Sequence, residues 1–145
     1  MKIKDLLFGG ADGDSFGAEI GLVILRVFSG LNMALRHGMG KIPPSERFIE
    51  GTGELGFPAP EFFSWAAGLS EFGGGILLAL GLLTRPSSFF IGCTMAVAGF
   101  IRHAADPFSG KEKAFLYLVI MLVFLLRGSG RYGIDAWFRK PEAEV

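Results

Sequence analysis

The chain of 145 residues has the length of one domain, and half of its residues are hydrophobic. Its mean hydropathy of +0.45 indicates a membrane protein. The 14 basic and 14 acidic residues balance, so no broad positive field recruits nucleic acid, and nucleic acid is not an expected partner. Cys93 is the single cysteine, which excludes an intramolecular disulfide.

Four apolar stretches predict membrane-spanning helices. They occupy residues 17–37, 60–83, 86–103 and 112–128, between a polar N-terminal tail at 1–16 and a polar C-terminal tail at 129–145. Each approaches the ~20 residues that cross ~30 Å of hydrocarbon. We therefore predict an all-α integral membrane protein: a four-helix bundle of antiparallel up-down spans at residues 17–128, with both termini on the same side of the bilayer. A soluble bundle of unusually apolar helices is the alternative.

The connections between these spans set the expected topology. Residues 38–59 contain several glycines and prolines, which break helices, and they form the longest loop,. The Thr84-Arg85-Pro86 turn is short, so the second and third spans must be antiparallel neighbours. Outside the spans, the side of the termini carries one more Lys or Arg than the other side, which favours cytoplasmic termini. We name these the terminal side and, for the side of residues 38–59, the loop side.

Two ionisable residues lie inside the predicted spans. Arg26 shares one helical face with Ser29, Met33 and His37, and Glu71 lies on a stripe of small residues in the second span,. Because both fall near the middle of the bilayer, we expect an Arg26–Glu71 pair or a Glu71 that is kept neutral. Such a carboxylate either binds a proton or a substrate, or belongs to a buried pair that only fixes the helix register.

Two histidines end spans that run in the same direction. His37 and His103 therefore reach the loop side together, where the loops also deliver Lys41, Asp106 and Glu112. This group predicts a polar, water-accessible site in which the histidines exchange protons with a quinone, hold a haem or ligate a metal. Two histidines without a clear third ligand are a weak metal pattern, so we assign no metal and keep His37 and His103 as candidates.

Structural roles explain some of the same residues. A cationic histidine complements the dipole at a helix C-terminus, and Gly38 directly after His37 is typical of a helix stop. Glu112 completes a capping box with Ser109, three residues earlier,. These readings compete with the functional ones and are not decided by the sequence.

A structural pair is expected on the terminal side. Asp135 lies in the C-terminal segment, opposite the turn that holds Arg85. A pair between Asp135 and either Arg85 or Arg131 would hold that segment under the bundle. Cys93, in the apolar part of the third span, is expected to pack as a small side chain.

Taken in order, these residues resemble the DoxX family of small four-helix membrane proteins. The matching motifs cover almost the whole chain: Leu25-Arg26-Val27, His37-Gly38, Gly56-Phe57-Pro58, Glu71-Phe72-Gly73-Gly74, Leu80-Gly81-Leu82-Leu83-Thr84-Arg85-Pro86, His103, Asp106-Pro107, Glu112, Gly130-Arg131-Tyr132 and Asp135. The resemblance implies a multi-pass protein of the bacterial inner membrane that contacts lipid and binds protein partners or a second copy of itself.

The resemblance also implies distinct classes of function. In the first, the chain is a redox-associated membrane subunit, not catalytic alone, that binds a quinone or a similar small hydrophobic cofactor between its helices; haem and copper are less favoured. Arg26 and Glu71 then form its polar midplane, with His37 and His103 at the mouth. In the second, it is a non-catalytic binding or assembly protein, similar to a chaperone or cargo receptor. A transporter is a third class, for which one four-helix unit has to oligomerise.

Overall fold

The structure, a computed structural model, describes residues 15–139, and within this range it contains helices and turns but no strand. The helices are α1 (Phe16–Asn32), α2 (Glu46–Glu54), α3 (Pro60–Leu80), α4 (Thr84–Val97), α5 (Phe108–Arg127) and α6 (Asp135–Arg139). A π-helical turn (Met33–Gly38) and a 3-10 turn (Met39–Lys41) continue α1, and a second π-helical turn (Ala98–Arg102) continues α4. The predicted all-α class is confirmed. Both termini, most of the predicted N-terminal tail and the end of the predicted C-terminal tail, residues 140–145, lie outside the described residues.

Glycine and proline set the ends of α3. Pro60 occupies its first turn, where a missing N–H removes no intrahelical hydrogen bond,. Gly81 ends the helix in a left-handed conformation with φ of 69°, which glycine adopts without a steric penalty. Leu83 follows with φ of 48°, and α4 begins at Thr84. The tight turn is therefore at residues 81–83, so the predicted turn at Thr84-Arg85-Pro86 lies three residues too late.

Glycines let α1 and α3 approach each other closely. A Cβ on Gly30 would lie 2.6 Å from the carbonyl oxygen of Gly75, and a Cβ on Gly75 would lie 2.7 Å from the carbonyl oxygen of Gly30. A Cβ on Gly38 would collide with the backbone of Phe72. Because the later residue of one helix meets the earlier residue of the other, the two helices run antiparallel, and their small residues permit the contact.

The remaining long helices also pack as antiparallel neighbours. The turn at residues 81–83 places α4 beside α3. Between α4 and α5, Gly92 lies beside Met121 and Gly99 lies beside Phe115, so these two helices run in opposite directions. The buried apolar core is shared by α3, α4, α5 and the first π-helical turn and consists of Met33, Leu78, Ile91, Met95, Met121 and Phe124.

The connection between α1 and α3 contains α2, a helix that the sequence did not predict. Ser45 caps it by accepting a hydrogen bond from the N–H of Phe48 at 3.3 Å,. Thr52 is buried against α3, where it accepts a hydrogen bond from the hydroxyl of Ser64 at 2.8 Å. The expectation of a helix-breaking loop throughout residues 38–59 is therefore wrong, because the cap and the contact with α3 outweigh a glycine-rich composition.

Large apolar side chains cover the outside of the helices. Phe28 is 68% exposed, Phe62 67% and Leu126 76%. Proteins that are stable in water rarely expose such extended apolar surface, whereas a membrane protein places it in lipid. Two helical segments, Phe16–Lys41 and Pro60–Leu80, are long and apolar enough to cross a membrane.

Candidate functional site

The packing of α1 against α3 separates the two ionisable residues that the sequence placed together. Gly30 lies level with Gly75, so Arg26, one turn earlier, reaches Gly81 at the end of α3. Glu71 precedes Gly81 by ten residues, or about 15 Å of helix. Both side chains are buried, Arg26 at 2% and Glu71 at 0% exposure. The predicted Arg26–Glu71 pair is nevertheless wrong, because helical periodicity defines a face but does not fix the register between two helices.

Lys41 is the partner of Glu71 in the structure. Its Nζ lies 2.7 Å from each carboxylate oxygen of Glu71, in a bidentate geometry that strengthens an ion pair. The Lys41 side chain is 32% exposed, whereas that of Glu71 is fully buried. Nζ also lies 5.4 Å from the centroid of the Phe48 ring, within cation–π distance. Lys41 therefore connects α2 to the middle of α3. It was expected only to support the site, but it is the residue that binds the Glu71 carboxylate.

The two π-helical turns deliver the two histidines to the loop side. His37 lies within the first turn, and His103 directly follows the second. The imidazole of His37 packs edge-on against the ring of Tyr117, with 5.4 Å between centroids. Nδ1 of His103 lies 2.7 Å from Oδ2 of Asp106. Single π-helical turns inside α-helices are frequent at functional sites, and here both lie at the loop-side ends of their helices.

A cavity of about 980 Å³ joins these groups. It lies between α2, α3, α4 and α5, and His37, Lys41, Glu71 and His103 all line it. Its size is at the upper end of the range for small-molecule sites. Away from the polar end, its wall is formed by apolar side chains that are also exposed at the outer surface, including Phe62, Phe89 and Phe90. The cavity therefore has a polar end and an apolar flank that opens at the surface of the bundle.

Several lining residues were missed from the sequence. The hydroxyls of Ser70 and Thr94 form a 2.8 Å hydrogen bond between α3 and α4 inside the cavity wall. Arg102, Lys113 and Tyr117 also line the cavity. Lys113 and Tyr117 are spaced four residues apart on α5, so helical periodicity was a signal for them. Nothing in the sequence pattern indicated that Arg102 turns towards the cavity.

Cys93 also departs from its expected role. The thiol was expected to pack in the interior, but Cys93 is exposed and lines the cavity. Because Gly92 faces α5, Cys93, the next residue of the same helix, points away from α5. Cys93 therefore lies on the apolar flank of the cavity.

Two of the structural readings at the loop side are wrong. Helix α5 begins at Phe108 with Pro107 at its cap position, so Ser109 and Glu112 lie inside the helix and form no capping box. The side chain of Glu112 is exposed and does not line the cavity. Helical structure continues past Gly38 as far as Lys41, so Gly38 is not a helix stop; its missing Cβ instead permits the contact with α3.

Asp135 holds the C-terminal segment under the bundle, but through backbone groups. Its Oδ1 accepts a hydrogen bond from the N–H of Leu83 at 2.7 Å, and its Oδ2 accepts one from the N–H of Thr84 at 2.9 Å. These N–H groups are at the start of α4, where a carboxylate also complements the helix dipole. Arg85 donates a hydrogen bond to the carbonyl oxygen of Leu126 at 2.9 Å. A cap on α4 therefore takes the place of the expected pair with Arg85 or Arg131.

Other buried charges lie near this segment. Glu19 is 3% exposed and accepts hydrogen bonds from Nη2 of Arg127 at 2.8 Å and from the N–H of Arg131 at 2.5 Å. Nη2 of Arg26 lies 3.5 Å from the carbonyl oxygen of Tyr132. Arg26 thus belongs to the terminal side, with residues 127–135, and not to the cavity.

Within residues 15–139, no group of three or more His, Cys, Asp or Glu side chains is placed to hold a metal ion. His37 and His103 share the cavity wall, and Asp106 is bonded to His103. We therefore derive no metal chemistry from this site.

The sequence is similar to one protein family and to several bacterial proteins. The sequence profile of the DoxX family matches residues 21–104. An uncharacterized protein of Haemophilus influenzae is 36% identical over 97 residues, which cover 62% of this chain and 69% of that protein. "Putative oxidoreductase CatD" of Bacillus subtilis is 30% identical over 123 residues, 84% of this chain and 90% of that protein. "Inner membrane protein YqjF" of Escherichia coli is 25% identical over 129 residues, 84% of this chain and 95% of that protein.

No solved structure matches the chain. The family profile covers more than half of the 145 residues, and the match includes most of α1, all of α2, α3 and α4, and the two π-helical turns. The resemblance predicted from the motifs is therefore confirmed. The chain is a membrane protein of the DoxX family.

Proposed function

We propose that the protein is a redox-associated membrane subunit that binds a quinone, or a similar small hydrophobic cofactor, in the cavity on its loop side. The observation that carries this proposal is the ion pair between Lys41 and the fully buried Glu71 in the wall of a cavity whose flank is apolar. A quinone has a polar ring and an apolar tail, so the two parts of the cavity fit the two parts of the molecule. A relative named as an oxidoreductase in Bacillus subtilis supports the redox association.

Each polar residue of the cavity has a role in this proposal that follows from its position. Lys41 and Glu71 hold the polar ring, because their pair lies at the buried end of the cavity. His37 and His103 exchange protons with water, because both line the cavity near its loop-side mouth,. A bound quinone would supply the electron transfer, and a partner protein would complete the reaction. Arg26 has no part in this site.

The proposal includes the membrane topology. The four long helices, each with its π-helical extension where present, cross the inner membrane in antiparallel order, and the termini lie together in the cytoplasm. The antiparallel contacts between successive helices and the apolar outer surface support this arrangement,. Protein partners, or a second copy of the chain, occupy part of the outer surface.

Quinone binding is tested by adding decylubiquinone to the purified protein in detergent and measuring the melting temperature. We expect a rise of roughly 4 °C at saturation, which is lost in Glu71→Gln and kept in Glu61→Gln. Glu61 is the matched control because its carboxylate is on the same helix but is exposed and does not line the cavity. A wild-type melting temperature that ignores the quinone, in protein that also retains none after purification, contradicts the proposal.

The exposed apolar rim of the cavity favours a second candidate, a non-catalytic assembly protein that holds a partner helix there. Phe62, Phe89 and Phe90 form this rim, and an apolar groove is a common site for an amphipathic helix. Crosslinking in the membrane followed by purification would then recover a partner whose yield depends on Glu71. Equal recovery with wild type and Glu71→Gln would eliminate this candidate.

A further inference from the structure

The cavity lining is rich in basic residues, although basic and acidic residues are nearly balanced over the loop side as a whole. The basic residues on this side are Arg36, Lys41, Arg47, Arg102, Lys111 and Lys113. The acidic residues are Glu46, Glu50, Glu54, Glu61, Glu71, Asp106 and Glu112. Four of the basic residues line the cavity, but Glu71 is the only acidic residue of this set that does. The lining is therefore strongly cationic on a side that is close to neutral.

The charge of Glu71 is already matched by Lys41. The other three basic lining residues, Arg47, Arg102 and Lys113, make no ion pair with a carboxylate within residues 15–139. They come from three separate elements: α2, the π-helical turn after α4, and the first turns of α5. The guanidinium of Arg102 lies close to Gly51 of α2, 3.5 Å from where a Cβ on that glycine would be. Three exposed cations without an ion pair to any described carboxylate thus line the cavity, and we call this part of the lining its cationic mouth.

The cationic mouth continues into the apolar flank. Phe89 and Phe90 of α4 line the cavity and are 51% and 59% exposed. A ligand that satisfies both parts needs an anionic head and an apolar chain. Arginine recognises phosphate through parallel hydrogen bonds from its planar guanidinium, and basic clusters at the membrane surface attract anionic lipids.

We propose that the cavity binds an anionic phospholipid from the surrounding bilayer. Its phosphate lies among Arg47, Arg102 and Lys113, and one acyl chain lies along Phe89 and Phe90. The lipid belongs to the leaflet on the loop side, because the cationic mouth is at that end of the helices. This site shares its cavity with the proposed quinone but does not depend on it, since lipid binding needs neither Glu71 nor redox chemistry.

The test compares phosphatidylglycerol with phosphatidylcholine of the same acyl chains, added to delipidated protein in a neutral maltoside detergent without quinone. We expect phosphatidylglycerol to raise the melting temperature by roughly 4 °C more than phosphatidylcholine does. The double variant Arg102→Gln/Lys113→Gln should lose most of this difference. The control double variant Arg36→Gln/Lys111→Gln removes the same charge from the same side without touching the lining and should keep it.

Three outcomes would overturn the proposal. The first is equal stabilisation of the wild type by the two lipids. The second is an equal loss in both double variants, which would assign the effect to general surface charge. The third is the same stabilisation by glycerol phosphate, which would assign it to a free anion without an acyl chain. Because quinone is absent from every arm, the quinone proposal can fail while this one stands, and the reverse.

Discussion

Glu71 shows how one carboxylate organises the site. A charge buried among helices is tolerated when a cation and hydrogen bonds neutralise it. Lys41 meets this need because its long side chain reaches Glu71 from the end of the 3-10 turn while the side chain as a whole stays partly exposed,. The pair joins α3 to the segment that follows α1, and Lys41 also lies over the Phe48 ring of α2. The site and the placement of α2 therefore depend on the same lysine.

The two halves of this pair are expected to differ in their effect on stability. Lys41→Met leaves a fully buried carboxylate without a cation and should lower the free energy of unfolding by about 3 kcal/mol. Glu71→Gln leaves a lysine whose side chain is already 32% exposed and is long enough to turn its ammonium towards water, so the loss of stability should be about half as large. Unfolding in mixed micelles with increasing dodecyl sulfate measures both.

Lys111→Met is the control for this comparison. Its Nζ donates a surface hydrogen bond to the carbonyl oxygen of Ala104 at 3.1 Å, and its removal should change stability by less than about 0.5 kcal/mol. If Lys41→Met were as mild as Lys111→Met, the buried carboxylate would not require the ammonium.

Among the elements, the contact between α1 and α3 fixes the register of the site. Gly75→Ala would put a Cβ 2.7 Å from the carbonyl oxygen of Gly30 and should destabilise the protein by about 2 kcal/mol by forcing the backbones apart,. Gly73→Ala on the same helix has no atom within 4 Å of its new Cβ and should be neutral or stabilising by about 0.5 kcal/mol. Thermal unfolding distinguishes the two, and equal effects would contradict the close contact.

The turn between α3 and α4 depends on a residue far along the chain. Asp135→Ala would leave the N–H groups of Leu83 and Thr84 without their acceptors, so we expect a loss of about 2 kcal/mol. Amide hydrogen exchange followed by mass spectrometry should show faster exchange in the peptide that contains both residues. Asp135→Asn, which keeps one acceptor oxygen, should show a smaller increase. Unchanged exchange in the alanine variant would mean that the cap does not hold this turn.

Sequence periodicity predicted the faces of these elements well. The stripe of small residues around Glu71 on α3 is buried in the structure, at Ser64, Gly68, Gly74 and Gly75 among others. The faces did not reveal the partners, because a slide of one helix along another leaves every face unchanged while it replaces every contact. The Arg26–Glu71 prediction failed for this reason.

Elements outside the apolar stretches were harder to predict. Helix α2 contains Glu46, Arg47 and Glu50 and three glycines or threonines, so neither its hydropathy nor its helix propensity separates it from a loop,. Its stability comes from contacts with α3 and Lys41 that exist only in the folded chain. The two π-helical turns were likewise invisible, since they follow from how the ends of α1 and α4 pack.

At the scale of the whole molecule, the proposed topology makes a prediction for labelling from each side of the membrane. Glu50 and Arg131 are both exposed, and the proposed topology places them on opposite sides of the bilayer, so each is replaced by cysteine in a Cys93→Ser background. A membrane-impermeant maleimide applied to intact spheroplasts should label the Glu50→Cys variant and spare the Arg131→Cys variant. Labelling of both from the same side would contradict the three crossings, by α3, α4 and α5, that separate the α1–α3 connection from the C-terminal segment.

Photoaffinity labelling tests most directly whether a quinone binds in the cavity beside the Lys41–Glu71 pair. An azidoquinone irradiated with the protein in native membranes should modify residues in Pro60–Leu80 and Thr84–Val97 that line the cavity, among them Ser70 and Thr94. Excess unlabelled quinone and the Glu71→Gln substitution should each suppress this labelling. Labelling confined to the outer face of α5 would contradict quinone binding in this cavity. Labelling that neither the unlabelled quinone nor the Glu71→Gln substitution reduces would contradict it as well.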